Sequence, residues 1–179
     1  MKKIITVFGS SKPINSEEQY LTAYNLGKKL ALNGFDVCNG GFNGIMEAVS
    51  KGAVEGGGEA IGVIVNLWGG KTNRYVTKEI ICNTLFERIN KLIELGDGFV
   101  VLQGGTGTLL ELAAVWEYIN KNMMNAKPIA CHSVIWKSII SEMNKQMKVE
   151  GRSVEIVKTF NMIDEIVEYL KANLSSQPS

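Results

Sequence analysis

The sequence predicts a three-layer α/β fold, an open parallel sheet with helices on both faces, and two observations carry that prediction. Short β-rich runs, "IITVF" (4–8), "DVCN" (36–39), "AIGVIV" (60–65), "GFVVL" (98–102) and "PIAC" (128–131), alternate with longer segments of mixed charge and apolar spacing. Such alternation encodes parallel strands joined by crossover helices. Three of the strand-to-helix turns are also built from small residues, and in an open parallel sheet these turns gather beyond the carboxyl ends of the strands, where ligands bind.

Each element has its own signal. The helix after the first strand opens at Ser16, with Gln19 completing a capping box, and closes at "NGF", where Gly34 suits the left-handed position past a helix end. A second helix opens at Thr84 with Glu87 and carries Leu85, Ile89, Leu92 and Ile93 as an apolar stripe. Residues 66–80, "NLWGGKTNRYVTKEI", have no clear period and are read as an irregular segment, a candidate loop over a site. Beyond "PIAC" a helix is expected over 134–147, a last strand at "VEIV" (154–157) and a final helix over 162–174. A chain of 179 residues, 45% hydrophobic, can bury one sizeable core and shows no linker. One domain is therefore expected over 1–174, with 175–179 as a disordered tail.

Composition excludes several functions. Nineteen Lys plus Arg against 18 Asp plus Glu give no electrostatic grip on nucleic acid or an anionic membrane. The apolar run after the basic start breaks at Gly9, too early for a secretory signal, and no stretch approaches a membrane span. A cytoplasmic location is the expectation. Cys38, Cys82 and Cys131 are odd in number and sit in or beside apolar runs, as reduced core thiols do. With one histidine, His132, and no CxxC pair, no metal site and no cofactor is expected, and His132 at a strand end reads as structural.

The small-residue turns are "GSS" (9–11), "NGGFNG" (39–44) and "QGGTGT" (103–108). In each, backbone N–H groups and a helix N-terminus can face one crevice and hold a phosphate. The candidate binding residues are Gly9, Ser10, Gly40, Gly41, Gly104, Gly105, Thr106, Gly107 and Thr108. None of the turns is a dinucleotide fingerprint or a P-loop, so a mononucleotide or sugar phosphate fits better than NAD or ATP hydrolysis. Glu111 admits two readings. Thr108 and Glu111 have capping-box spacing, yet a carboxylate one turn into a phosphate-binding helix would also face whatever the phosphate carries, and could work there as an acid or base. Arg88 falls at the edge of the apolar stripe, where a semi-buried guanidinium could meet an anion or a transition state; otherwise it is a snorkelling side chain.

At these residues the chain resembles the LOG (Lonely Guy) family, once labelled lysine decarboxylases. Its motif P-G-G-x-G-T-x-x-E is met by "QGGTGTLLE", Gln103 to Glu111, at every position but the first. "VFGSS" resembles the family's opening strand and turn, "NGGFNGIMEAV" its Y-G-G-G-x-x-G-L-M-G-x-V segment, and "LFERI" its M-x-x-R-K, keeping Arg88; the likeness covers about residues 4–131. The resemblance implies a Rossmann-like fold and hydrolysis of the N-glycosidic bond of a nucleoside 5′-monophosphate to free base and ribose 5-phosphate. It makes Arg88 and Glu111 catalytic and Gly104 to Thr108 the phosphate loop. It also implies a homodimer or higher homo-oligomer, for which the two-sided apolar helix "LLELAAVWEYI" (109–119) is suited. The chain departs from the family at Gln103, at Ile89 in place of the Arg-Lys lysine, and at Leu110, where many members have a second glutamate. No lysine sits in a pyridoxal phosphate context, so the decarboxylase label finds no support. The same architecture also resembles molybdenum cofactor carrier proteins, which implies the alternative of a non-catalytic nucleotide or cofactor binding protein.

Overall fold

A computed structural model describes residues 2–12, 17–66 and 71–174. Among them, strands β1 (Ile4–Phe8), β2 (Asp36–Asn39), β3 (Ala60–Val65), β4 (Lys78–Cys82), β5 (Gly98–Val101), β6 (Ile129–His132) and β7 (Val157–Phe160) form one sheet in the order β4-β3-β2-β1-β5-β6-β7. Every pairing is parallel. Strand order reverses direction at β1, so the crevice of an open sheet falls where β1, β2 and β5 end.

Two buried clusters account for the layers. Ile5, Val7, Val37, Val100 and Leu102 face helices α1 (Glu17–Leu32), α2 (Ile45–Glu55) and α6 (Ile163–Leu174). Phe8, Cys38, Ile61, Val63, Phe99 and Val101 face α3 (Leu85–Leu95), α4 (Thr106–Asn120) and α5 (Val134–Val149). With both faces covered, β3 and β5 are buried at every position and read as continuous apolar runs. All three cysteines are buried and free. His132 Nε2 lies 3.0 Å from the Asn161 carbonyl oxygen, a structural contact.

The first strands and most helices stand where their sequence signals put them. The Gly34 N–H reaches the Ala31 carbonyl and the Phe35 N–H the Leu30 carbonyl, with Gly34 at φ 84°, which closes α1 as a Schellman motif. Ser16, the expected cap, and the tail 175–179 lie outside the described residues. Two expectations need correction. The last strand begins where "VEIV" ends, because Glu155 takes φ 64° and breaks the extended run; pairing with β6 starts at Val157. Residues 66–80 are not wholly irregular either, since Lys78 to Cys82 form an edge strand. Its charged, solvent-facing start hides the alternation that a half-buried strand would show.

Helices α1 and α2 cross almost backbone to backbone. A Cβ on Gly27 would run into the Val49 carbonyl oxygen, and one on Gly52 into that of Tyr24. Because α1 and α2 follow the turns after β1 and β2, this close crossing fixes where both turns lie. Gly52→Ala is expected to destabilise the fold by about 1–3 kcal/mol through overpacking, measured by urea denaturation, whereas alanine at the open Gly107 position, with no heavy atom within 4 Å of its Cβ, should change stability much less.

Candidate active site

A cleft of about 380 Å³ opens at the carboxyl ends of β1, β2 and β5, within the size range of small-ligand sites. One wall is the β1–α1 turn, Gly9 to Lys12; another is the start of α4, Gly105 to Thr108; Phe42, Met46, Leu85, Ile89 and Leu110 supply apolar surface. Arg88 and Glu111 lie at its floor.

The floor is assembled by helix starts. Thr84 caps α3 by accepting from the Glu87 N–H at 3.1 Å, and the Glu87 carboxylate accepts from the Asn83 N–H at 2.8 Å. One turn on, Arg88 points inward with Ile89 and Leu92, and its Nε donates to the Val63 carbonyl of β3 at 2.8 Å. Its Nη1 lies 3.0 Å from Glu111 Oε1 on α4. Only 5% of Arg88 and 8% of Glu111 are exposed. The semi-buried rim position expected of Arg88 is thus deeper than its helical wheel suggests, because α4 and the β2–α2 turn close over it. A side chain on Gly40 would collide with the guanidinium, and Phe42 places its ring 5.9 Å from the Arg88 Cζ. Burial pushes the Glu111 carboxyl above its ordinary pKa, with Arg88 opposing by charge and hydrogen bond.

Helix α4 starts at Thr106 with Gly105 as its N-cap and no side-chain cap. The capping-box reading of Thr108 and Glu111 therefore fails: Thr108 is already the third helical residue and Glu111 is held by Arg88. The first intrahelical bond runs from the Leu109 N–H to the Gly105 carbonyl at 3.0 Å. The N–H groups of Thr106 to Thr108 thus point out of the helix start as orphan donors, at the positive end of its dipole.

Of the nine residues proposed for binding, Gly9, Ser10, Gly105, Thr106, Gly107 and Thr108 line the cleft together. Gly40, Gly41 and Gly104 do not; they permit close packing behind it. Gly104 backs onto the Thr108 side chain, and Gly41, at φ 74°, turns its carbonyl toward Asn73, whose N–H and side-chain amide donate to it at 2.7 and 3.1 Å. Ser10 is a junction of the turns. Its N–H donates to Gln103 O and its carbonyl accepts from the Ile45 N–H, both at 3.0 Å, so it binds turns together rather than offering an N–H to the cleft. Lys12, Ser11, Phe42 and Met46 escaped sequence reasoning as cleft residues, although each lies in or next to a turn already singled out. None of the described residues in 66–80 lines the cleft; Asn73 instead clamps the β2–α2 turn.

Fold and cleft together define the class: a Rossmann-like α/β protein whose helix N-terminus and buried carboxylate–guanidinium pair share one crevice. The chain belongs to the SLOG cluster4 family, whose profile matches residues 2–161. It is similar to the cytokinin riboside 5′-monophosphate phosphoribohydrolase LOG of Oryza sativa subsp. japonica, 33% identical over 141 residues that cover 74% of this chain and 55% of the rice protein. A Mycobacterium tuberculosis protein named cytokinin riboside 5′-monophosphate phosphoribohydrolase is 31% identical over 115 residues, 63% of this chain and 61% of its own. The match spans about half of two further rice relatives, 46% and 50% of their lengths. Among solved structures, the molybdenum cofactor carrier protein of Chlamydomonas reinhardtii superposes with TM-score 0.79 at 23% identity, covering 98% of this chain and 100% of the carrier. The molybdenum cofactor binding protein of Rippkaea orientalis gives 0.78 at 24%, covering 97% and 98%. Among the described residues, no helix is long and apolar enough to cross a membrane.

The ion pair makes a stability prediction. Arg88→Met leaves a buried carboxylate without its partner and is expected to destabilise by about 3–5 kcal/mol near neutral pH. Glu111 already has a raised pKa in the folded state, and losing Arg88 raises it further. The penalty is absent below the unfolded pKa and grows as pH rises toward the folded one. Urea denaturation of Arg88→Met against Arg88→Met/Glu111→Gln should therefore show the double variant more stable at pH 7.5, with the gap narrowing at pH 5.

Proposed function

We propose that this protein hydrolyses the N-glycosidic bond of a nucleoside 5′-monophosphate, releasing free base and ribose 5-phosphate. The observation that carries the reading is that Glu111, paired with Arg88, and the bare N-terminus of α4 face the same cleft. Phosphate binds the N–H groups of Thr106 to Thr108, where the helix dipole favours an anion. That anchor sets the ribose against the carboxylate and supplies orientation. The glycosidic bond breaks through an oxocarbenium-like sugar, whose positive charge an ionised Glu111 stabilises, or whose attacking water it positions. Arg88 works against the desolvation of Glu111 by favouring its charged form and fixes its direction through the second bond to Val63. The relatives named phosphoribohydrolases support this reading.

A second reading, a non-catalytic nucleotide or molybdenum cofactor carrier, is favoured by the apolar cleft residues Ile89 and Leu110, which stand where LOG-type chains have a lysine and, in many cases, a glutamate. The two readings part in one assay. The protein is incubated with AMP, CMP, GMP and UMP and ribose 5-phosphate is measured; no release from any, alongside tight binding of a phosphorylated ligand, selects the carrier. Glu111→Gln keeps an acceptor for Arg88 but leaves the guanidinium without a counter-charge, so it is expected to fold with reduced stability and, in protein shown folded by circular dichroism, to lose turnover by at least about 100-fold. Because burial raises the Glu111 pKa and the ionised form is the working one, kcat/KM of the wild type should rise with pH through a value above 4.5; a limb at or below 4.5 contradicts the role.

We also propose that α4 and α5 form the contact between subunits of a homodimer. Leu112, Val115, Trp116 and Ile119 of α4 are buried. The helix's other side, Leu109 and Ala113, lines an apolar groove of about 480 Å³ with Ile139, Met143 and Met147 of α5. Met143→Glu is expected to convert the dimer to a monomer in analytical ultracentrifugation without lowering the monomer's helicity.

A further inference from the structure

Among the described residues, three charged side chains line the cleft: Lys12, Arg88 and Glu111. Arg88 and Glu111 neutralise each other at 3.0 Å and are nearly enclosed. Ile89, next to Arg88, is 3% exposed and belongs to the core, so α3 provides no second cation there. Lys12 is different. It is exposed, and among the described residues no carboxylate lies within salt-bridge distance of it. Among the described residues it is the one charge lining the cleft for which no ion pair is found, and it sits on a turn that lines the same cleft as the α4 N-terminus.

Its backbone is fixed rather than loose. The Lys12 N–H donates to Ser10 Oγ at 3.1 Å, and Ser10 is itself tied to Gln103 and Ile45. Gly44, at φ 70°, packs its Cα against the Lys12 and Ser10 carbonyls, where any side chain would collide. The ammonium is thus presented from a braced turn, while its exposure leaves the stem free to follow a ligand.

A phosphate monoester is a dianion near neutral pH, and the helix terminus supplies only about half a charge. We propose that Lys12 is the specificity-determining cation of the cleft, pairing with the phosphoryl group that the α4 N-terminus cradles and selecting phosphorylated ligands over the corresponding nucleosides. This deepens the proposed function and rests on it for the ligand class. Lysine suits the task as a compact point charge that needs no fixed geometry.

The test uses binding as well as turnover. Isothermal titration of the wild type, Lys12→Met and Lys12→Arg with ribose 5-phosphate at low and high salt separates the possibilities, with AMP and adenosine as the matched pair for KM. Lys12→Met should weaken ribose 5-phosphate binding by about 10- to 100-fold, raise KM for AMP by a similar factor with kcat within about threefold, and leave adenosine unaffected. It should also flatten the salt dependence, and Lys12→Arg should recover most of the loss. Wild-type binding of ribose 5-phosphate that Lys12→Met leaves unchanged overturns the role of Lys12 while the phosphate site stands. No binding of ribose 5-phosphate by the wild type overturns both.

Discussion

The buried pair of Arg88 and Glu111 is the constraint around which the rest of the cleft is built. An ion pair enclosed this far needs nearly all of its hydrogen-bonding capacity met, because desolvation of each ion outweighs a loosely made contact. The chain meets that demand with several elements at once. Helix α3 carries the arginine, β3 gives it a carbonyl, α4 gives it the carboxylate, and the β2–α2 turn approaches with a glycine because nothing larger fits beside the guanidinium. Moving any of the four would open the pair to water or strand one charge. The geometry of the cleft floor is therefore set by electrostatics as much as by packing.

Above that floor, the three turns at the end of the sheet act as one body. Ser10 spends both its backbone groups on its neighbours, one on the turn after β5 and one on the start of α2. Asn73 spends its amide on the carbonyls of Gly41 and Phe42, holding the second turn from the side of β4. What remains unpaired is the start of α4, where a glycine N-cap provides no side-chain oxygen to satisfy the first helical N–H groups. Ser10 and Asn73 thus tie the neighbouring turns to one another, while the first N–H groups of α4 are left at the cleft wall. Donors left free at a helix N-terminus are what an anion site requires.

Most of this was legible in the chain, and the exceptions have physical causes. Strands buried on both faces announce themselves as apolar runs, so β1 and β3 could be bounded from their apolar composition. The edge strands could not: β4 begins with a lysine and a glutamate in solvent, and β7 has one fully buried position among its four. At the site, the glycines of the three turns read correctly as turn residues, but sequence does not distinguish a glycine that lines a cavity from one that makes room behind it. Gly105 and Gly107 are of the first kind; Gly40 and Gly104 are of the second. The spacing of Thr108 and Glu111 misled in a similar way. A capping box is a local signal, whereas the partner of Glu111 lies 23 residues away on another helix, and only the tertiary arrangement can favour that partner over the local one.

Ile89 and Leu110 show how a site can keep its pair and change its surroundings. Ile89 lines the cleft with one part of its side chain and the core with another, at 3% exposure. A lysine there would have to thread its stem through the same packing and surface its ammonium beside Arg88, placing two cations against one carboxylate. With isoleucine, the guanidinium pairs with Glu111 without a neighbouring ammonium on α3, and the exposed Lys12 of the β1–α1 turn lines the same cleft. Leu110, 38% exposed, likewise brings no charge to the cleft it lines. The two apolar residues thus leave a desolvated ion pair at the cleft floor and, among the described residues, an exposed lysine on the cleft wall, two separate electrostatic environments in one crevice.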